Sequence, residues 1–552
     1  MLDALVVGAG PTGLTMASEL ARYGLSCRLV EQLEAPSPLS RALAVQARTL
    51  EIFEHLGIAE RAVARGRRPE AINVVGQGGV RTRVPLGRFD WLETRYPYPL
   101  LLPQDATEAL LTGLLESWGG RLEWGVALED FQQDGEGVLA TLKHAEGRSE
   151  QVRARWLIGC DGARSRTRKL LGLPFEGTTY EDACMLADVR VDWSLGAGEM
   201  CIMPSAHGMT IAMPLPGDHR YRIFAIMPRD EASDRAADTA PVSLEEFQTV
   251  MDRMVPVPIR VSEPTWMSRY RLHSRGVSRY RQGRAFLAGD AAHIHSPIGG
   301  QGMNTGIQDA FNLAWKLALV TRGRASDALL DTYEAERHRV GRHLLEGTDR
   351  AFTLIASGGL PARLFRAYVF PRIARRMSGV GRVQRRVLRF GSQLAIHYRK
   401  SPLSTERLWG EDTNGVRMTE GPAAGDRVPE LPVKGVGVER LHQVLHAPRH
   451  TLLLLTGLSP EPRATEALVA LARRLEAAYA TVLQVRVVVA GAEAPSAQVL
   501  ADTDGAVHRR FGAGSECFYL VRPDGYVAHR ERPMDARRLE MELERRLGSS
   551  GR

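Results

Sequence analysis

Six residues early in the chain, Gly8-Ala9-Gly10-Pro11-Thr12-Gly13, have the spacing of a turn that holds phosphates. An apolar run of buried-strand type, Ala4 to Val7, precedes them. After them Leu14, Ala17 and Ala21 repeat at helical spacing until Gly24. A second apolar run, Cys27 to Val30, ends at Glu31, 21 positions after Gly10. Strand, glycine turn, helix and strand ending in an acid is the setting in which this motif binds a dinucleotide. Gly8 permits the tight turn, Gly10 lets backbone approach a pyrophosphate, and Gly13 lets the helix pack on the sheet. Pro11 and Thr12 open a helix whose free N–H groups and positive end attract phosphates. Glu31 is placed to accept from ribose hydroxyls. The motif alone leaves open which dinucleotide is bound.

Two later segments carry further glycines and acids. Arg155 to Cys160 reads as a strand leading into Asp161-Gly162, followed by Arg164, Arg166 and Arg168 at alternate positions. Those arginines are available for a 2′-phosphate and tilt the nicotinamide preference to NADPH. Gly283 to Gly306 reads as a strand, an acid (Gly289-Asp290), a loop with Pro297, Gly299, Gly300 and Gly302, and a helix opening at Met303 and Asn304. That helix carries Ile307, Ala310, Phe311, Ala314, Leu317 and Ala318 on one stripe. One glycine fingerprint is present rather than two, and no cysteine pair has redox spacing, which disfavours disulfide reductases.

These three segments, in this order and spacing, resemble the FAD-dependent class A aromatic hydroxylases, in the phenol hydroxylase and polyketide hydroxylase branch. The resemblance runs over essentially the whole chain. It implies noncovalent FAD, NADPH or NADH as a reductant with no fold of its own, and O2 as co-substrate. The implied reaction inserts one oxygen atom into a phenolic or polyketide-type aromatic through a C4a-hydroperoxyflavin. By the same resemblance Gly8, Gly10, Gly13 and Glu31 form the ADP site, Arg41 faces the pyrophosphate, Gln104 contacts the flavin, and backbone near Val126 meets adenine. Asp161 matches an acid serving FAD and the nicotinamide, and Asp290 the acid that binds the ribityl chain; turn capping is the plainer reading of both. Pro297 falls where the family places its oxygen site. Gly299, Gly300 and Gly302 leave room for the flavin ring, and N–H groups from Gly302 to Asn304 would stabilise negative charge on it. Baeyer–Villiger insertion, epoxidation and oxidative inactivation of an antibiotic occur on the same scaffold. A flavin-bearing protein that sequesters a ligand without turnover is the alternative from another class. No catalytic base is assigned.

The elements that position these residues form an α/β chain. A Rossmann-like FAD-binding domain, 1–175 and 273–400, is interrupted by a substrate-binding sheet domain, 176–272 with part of 70–105. A thioredoxin-like C-terminal domain follows at 401–552. In the sheet domain Met200 to Met203, Met209 to Met213 and Tyr221 to Met227 read as strands, suggesting one Met-rich face. Trp91, Tyr98, His207, Met213 and Trp266 are its candidate substrate residues. In the last domain Cys517 to Arg522 turns at Pro523-Asp524-Gly525 and a charged helix runs from Asp535 to Leu547. Cys517 stands alone there, so the domain is read as structural.

Composition bounds the rest. At roughly 100 to 200 residues per domain, 552 residues hold about three to five domains' worth of chain. Hydrophobic residues are 44% and charged residues 25%, an ordinary globular mix that excludes disorder and coiled coil. No apolar run reaches the roughly 18 residues of a membrane span, and a cytoplasmic protein is expected. The five cysteines fit neither a disulfide framework nor a metal site. Net charge is +8, and residues 361–400 hold eleven Lys or Arg and no acid. That segment reads as a solvated helix face, with its aromatics Phe365, Tyr368, Phe370, Phe390 and Tyr398 mostly in the core. Docking of an anionic substrate carrier there is the alternative. Neither nucleic acid nor membrane is expected as a partner; a homodimer stays open.

Overall fold

The computed structural model describes every residue except 38–39, 77–78, 87–88, 206, 228–241, 296–298, 357–371, 373–381, 410–415, 492–495 and 549–552. Three eight-stranded sheets organise the chain. In the first, Leu2–Val7 lies between Ser149–Gly159 and Cys27–Glu31, and Ala285–Leu287 lies beyond Ser149–Gly159, all parallel. Val7 pairs with Gly159 and Val30, and Gly159 with Leu287. Both glycine loops and the Asp161-Gly162 turn therefore leave the sheet at one carboxyl edge, beside Glu31, where open α/β sheets bind ligands. Parallel strands are covered on both faces, which is why Ala4, Leu5 and Val6 are wholly buried and their run is uninterrupted. The helices Pro11–Arg22 and Gly302–Thr321 pack together over this core.

The second sheet is built on two 18-residue strands, Glu176–Trp193 and Ile259–Gly276. Next to them come Arg220–Met227, Gly208–Pro214 and Met200–Ser205, then the earlier hairpin Ala71–Gly76 and Gly79–Pro85. One face packs Met185, Met203 and Met227 against Phe247, Met251 and Met254 of the helix Leu244–Met254. Met209 and Met213 lie on the other face, so the methionines are divided between two faces by alternation along each strand together with the register between strands. A single Met-rich face is not what forms.

In the third sheet His450–Leu455 runs parallel to Leu483–Ala490, joined by the helix Pro462–Ala478, and antiparallel to Cys517–Val521. Cys517–Val521 and Val527–Arg532 form the expected hairpin. The closing helix is Ala536–Leu547; Asp535 stays outside it and accepts from the N–H groups of Arg537 and Arg538. In the basic segment, Arg382–Gly391 is a helix, and Tyr398 is buried as expected, but Phe390 is exposed. Phe365, Tyr368 and Phe370 lie outside the described residues. None of the five cysteines is in a disulfide, and no described helix is long and apolar enough to cross a membrane.

Candidate active site

The first glycine turn is compressed against the Asp161-Gly162 turn. Gly8 has φ +98°, and a Cβ there would come within 2.5 Å of the Cys160 carbonyl oxygen. A Cβ on Gly13 would lie 1.8 Å from the Gly8 carbonyl oxygen. Gly10 is different: nothing lies within 4 Å of where its Cβ would be. It is the N-cap of Pro11–Arg22, no side chain caps that helix, and its first turn holds no acid. A free helix end facing open space fits a pyrophosphate. Glu31 accepts from the N–H groups of Ala9 at 2.8 Å and Leu33 at 3.0 Å, so it clamps the turn while keeping acceptor capacity for ribose hydroxyls. Val126 is buried at the start of Val126–Gln133, next to Gly125, whose N–H donates to Leu33 just beyond Glu31.

The two acids expected at the carboxyl edge differ in what they touch. Asp161 accepts from Ser165 Oγ (2.6 Å), Thr167 N (2.9 Å) and Thr167 Oγ1 (3.0 Å), bracing the turn and the first residues of the helix Arg166–Leu170, whose N-cap is Ser165. The plainer reading, turn capping, is what its side chain does here. Asp290 is exposed to solvent, while desolvation by the surrounding protein pushes its carboxyl up. Arg41, itself exposed, and His293 oppose that rise.

The loop between them is held from below. Asp309 is wholly buried and accepts from Gly289 N (3.0 Å), His293 Nε2 (2.7 Å) and Arg337 Nε (2.6 Å). Desolvation raises its carboxyl, but Arg337 and His293 bring it below the usual range. Thr12 packs where a Cβ on Gly289 or Gly306 would have to stand. Asn304 donates to the carbonyls of Ala44 and Gly300, 2.7 Å each, and accepts from Gln46 N at 2.8 Å; Gln46 Nε2 reaches the Gly299 carbonyl at 2.9 Å. Gln104 accepts from Ala42 N at 3.1 Å and donates to Glu108 at 2.8 Å. Met303 packs, partly buried, on the core of the first sheet. The helix Gly302–Thr321 starts without a side-chain cap or an early acid, so a second free helix end lies at the same carboxyl edge of the sheet. Pro297 lies outside the described residues.

The second face of the middle sheet meets the segment 41–44. Cys184, Leu186, Met209, Phe224 and Ile226 form a cluster with Ile202, Ile211, Met213, Trp266 and Tyr270 on it, partly buried. Met213 also packs with Leu43 and Ala44. Arg222 is buried and pairs with Asp188 through Nε (2.7 Å) and Nη2 (2.8 Å), while Nη1 donates to the Ala42 carbonyl at 2.8 Å. Trp266 Nε1 donates to the same Asp188 at 3.1 Å. Burial pushes the Tyr270 phenol up, with Arg41 and Arg222 near enough to oppose it. Of the five expected substrate residues, Met213 and Trp266 share this face. Tyr98 instead packs on the first core beneath Arg68, Trp91 sits against Phe89 and Arg385, and His207 occupies the hairpin turn beside Ser205.

Two family models match the chain: an FAD binding domain over residues 1–348 and the aromatic-ring hydroxylase C-terminal domain over residues 421–550. The chain is 37% identical to 6-methylpretetramide 4-monooxygenase of Streptomyces rimosus, over 95% of this chain and 90% of that protein. It belongs to the FAD-dependent aromatic-ring hydroxylases. It is also 33% identical to pentachlorophenol 4-monooxygenase of Sphingobium chlorophenolicum, over 95% of this chain and 92% of that one. The solved structure of aklavinone-11 hydroxylase with FAD and aklavinone matches with TM-score 0.76 and 27% identity, covering 99% of each chain.

In this hydroxylase two of the arginines expected to meet a 2′-phosphate have other partners, and several residues escaped the sequence reading. Arg168 is buried, donates to the carbonyls of Ala291 (3.0 Å) and Ala163 (2.8 Å), and lies 3.9 Å from the Phe175 ring centroid. Arg166 donates twice to the Glu129 carbonyl. Arg166 remains exposed, whereas the buried Arg168 ties the two acid-bearing turns together and is not open to a phosphate. Asp309, Arg337, Asp188 and Arg222 were missed as well. Their signal was charge inside apolar stretches, such as Asp309 between Ile307 and Ala310, which requires a buried partner.

Proposed function

We propose that this hydroxylase takes electrons from NADPH or NADH and transfers one atom of O2 to a phenolic, polycyclic aromatic. Substrate C–H, O2, the reduced nicotinamide and a proton yield the hydroxylated substrate, the oxidised nicotinamide and water. Bound FAD supplies electron storage and oxygen activation. In this reading Gly10 and the end of Pro11–Arg22 hold the pyrophosphate, Glu31 the ribose, and Asp290 with Arg41 the ribityl and phosphate region. The N–H groups of Gly302, Met303 and Asn304 stabilise charge on the reduced ring. Gln104 fixes the 41–42 segment, and Asp161 acts through the turn it caps. Residues 1–175 and 273–400, 176–272 with part of 70–105, and 401–552 serve as the FAD, substrate and C-terminal domains.

The observation that carries the substrate class is the apolar face of the middle sheet lying against residues 41–44. It extends over five adjacent strands, about 19 Å at 4.8 Å per strand, which suits a fused ring system lying flat. Excluding water there protects reactive oxygen from decay. The test is anaerobic bleaching of the flavin by NADPH and by NADH, with fused-ring phenols, simple phenols or no addition, followed by aerobic product analysis. At least tenfold acceleration by fused-ring phenols and a product one oxygen heavier at a ring carbon are expected. Acceleration by simple phenols alone, or a lactone as product, would replace this reading.

A further inference from the structure

The turn at Pro523, Asp524 and Gly525 reaches out of the third sheet into the FAD-binding part of the molecule. Arg522 pairs with Asp524 through Nε at 2.9 Å and with Glu336 through both Nη atoms, at 2.6 and 2.9 Å. Glu336 also accepts from Lys316 Nζ (2.9 Å), Asn312 Nδ2 (2.8 Å) and Ser401 Oγ (2.6 Å). Asp524 Oδ2 accepts from Asn312 Nδ2 and Trp315 Nε1, each at 3.2 Å, and its backbone carbonyl from Arg48 Nη2 at 2.6 Å. The side chains of Arg522, Lys316, Glu336 and Asp524 are at most 2% exposed. Two cations and two anions balance, and burial brings the Lys316 amine down to about 8.

The FAD-side partners connect, directly or through one neighbour, to the carboxyl edge of the first sheet where both glycine loops lie. Asn312, Trp315 and Lys316 lie on Gly302–Thr321, whose first turn carries Asn304. Arg48 lies on Ala47–His55, whose N-cap Gln46 is bonded to Asn304 and Gly299. Glu336 precedes Arg337, which grips Asp309 and the Thr305 carbonyl. We propose that the Arg522 to Asp524 turn is a positioning device for the flavin pocket, setting the rotation and register of both helices from behind; it rests on the FAD site described above. Apolar residues of similar volume would join the domains as tightly, but only directional bonds fix how the helices are turned.

The experiment uses the full chain. Asp524→Asn and Arg522→Lys are compared with Tyr519→Phe, which loses a hydrogen bond to the Phe511 carbonyl inside the C-terminal core without touching the turn. Binding of FAD by the parent is measured first; a parent that binds none overturns the flavin reading, and this inference with it. With a parent that binds FAD, the turn variants should bind it at least tenfold more weakly or shift the flavin absorption band and midpoint potential. Tyr519→Phe should lower the melting temperature alone. Folded turn variants with the parent's dissociation constant, spectrum and potential overturn the proposal. If Asp524→Asn and Arg522→Lys do not fold, Trp315→Phe, which removes one donor to Asp524, is read by the same measurements and the same criterion.

Discussion

Asp290 and Asp161 each follow a parallel strand of the first sheet, yet their surroundings give them different consequences on substitution. Asp290 is exposed and, in the proposed FAD site, meets the ribityl chain, so Asp290→Ala should reduce FAD occupancy at least tenfold with little change in the melting of flavin-free protein. Flavin content after purification checks it, and a fully loaded variant would remove the ribityl assignment. Asp161 spends its oxygens on Ser165 and Thr167, so Asp161→Ala should cost about 1 to 2 kcal/mol of stability in urea titration. The glycines were legible in the sequence because the constraint on each is local: Gly8 needs a positive φ, and Gly13 a close neighbour five positions back. The work of an acid was less legible, because it depends on which donors the fold brings to it. Ser165 and Thr167 were near enough in sequence to suggest a cap for Asp161, whereas Arg337 is 28 positions from Asp309.

Among elements, one buried pair on the middle sheet, Arg222 with Asp188, reaches the Ala42 carbonyl beside the proposed FAD site. Asp188→Ala would leave the Arg222 guanidinium buried without its carboxylate, at a cost of about 3 to 5 kcal/mol. Asp188→Asn keeps the shape and an acceptor for Trp266; it should fold and raise the substrate KM more than it lowers kcat. Equal KM values would show that the pair does not shape the substrate face. Period-two alternation within a strand puts Met209 and Met213 on one face, and Met185 with Ala187 on one face of theirs. That these two pairs lie on opposite sides of the sheet depends on the register between strands, which alternation does not carry. Nor does it tell which face Leu244–Met254 will cover, since that is decided by packing between elements far apart in the chain. The C-terminal hairpin and its turn were readable from Pro523-Asp524-Gly525, but its attachment to Glu336 was not, because a turn motif carries no information about what it docks against.

For the molecule as a whole, the seam between the FAD-binding part and the C-terminal sheet is sensitive to acid. His55 and His446 face each other with ring centroids 5.0 Å apart, and His450 packs edge-on against Trp315 at 5.6 Å. Burial lowers His446 to about 4 and His450 to about 3, and holds His55 well below its ordinary value. Unfolded, each would titrate near 6.5, so below that pH the unfolded chain binds more protons. Stability should fall as pH drops from about 6.5 toward 4, by up to about 1.4 kcal/mol per pH unit for each histidine. Urea midpoints at pH 7.5, 6.5 and 5.5 check this, and His446→Gln should flatten the slope. The order of assembly follows from the same long reach. The strand carrying Gly8's turn shares its sheet with Ala285–Leu287, and the helix behind Asn304 is gripped by Asp524. A ribosome delivers these pieces from one end, so the earliest glycines must wait, unsupported, for strands and partners made hundreds of residues later. With the FAD site and its C-terminal brace as proposed, flavin capture would act as a checkpoint on a nearly finished polypeptide.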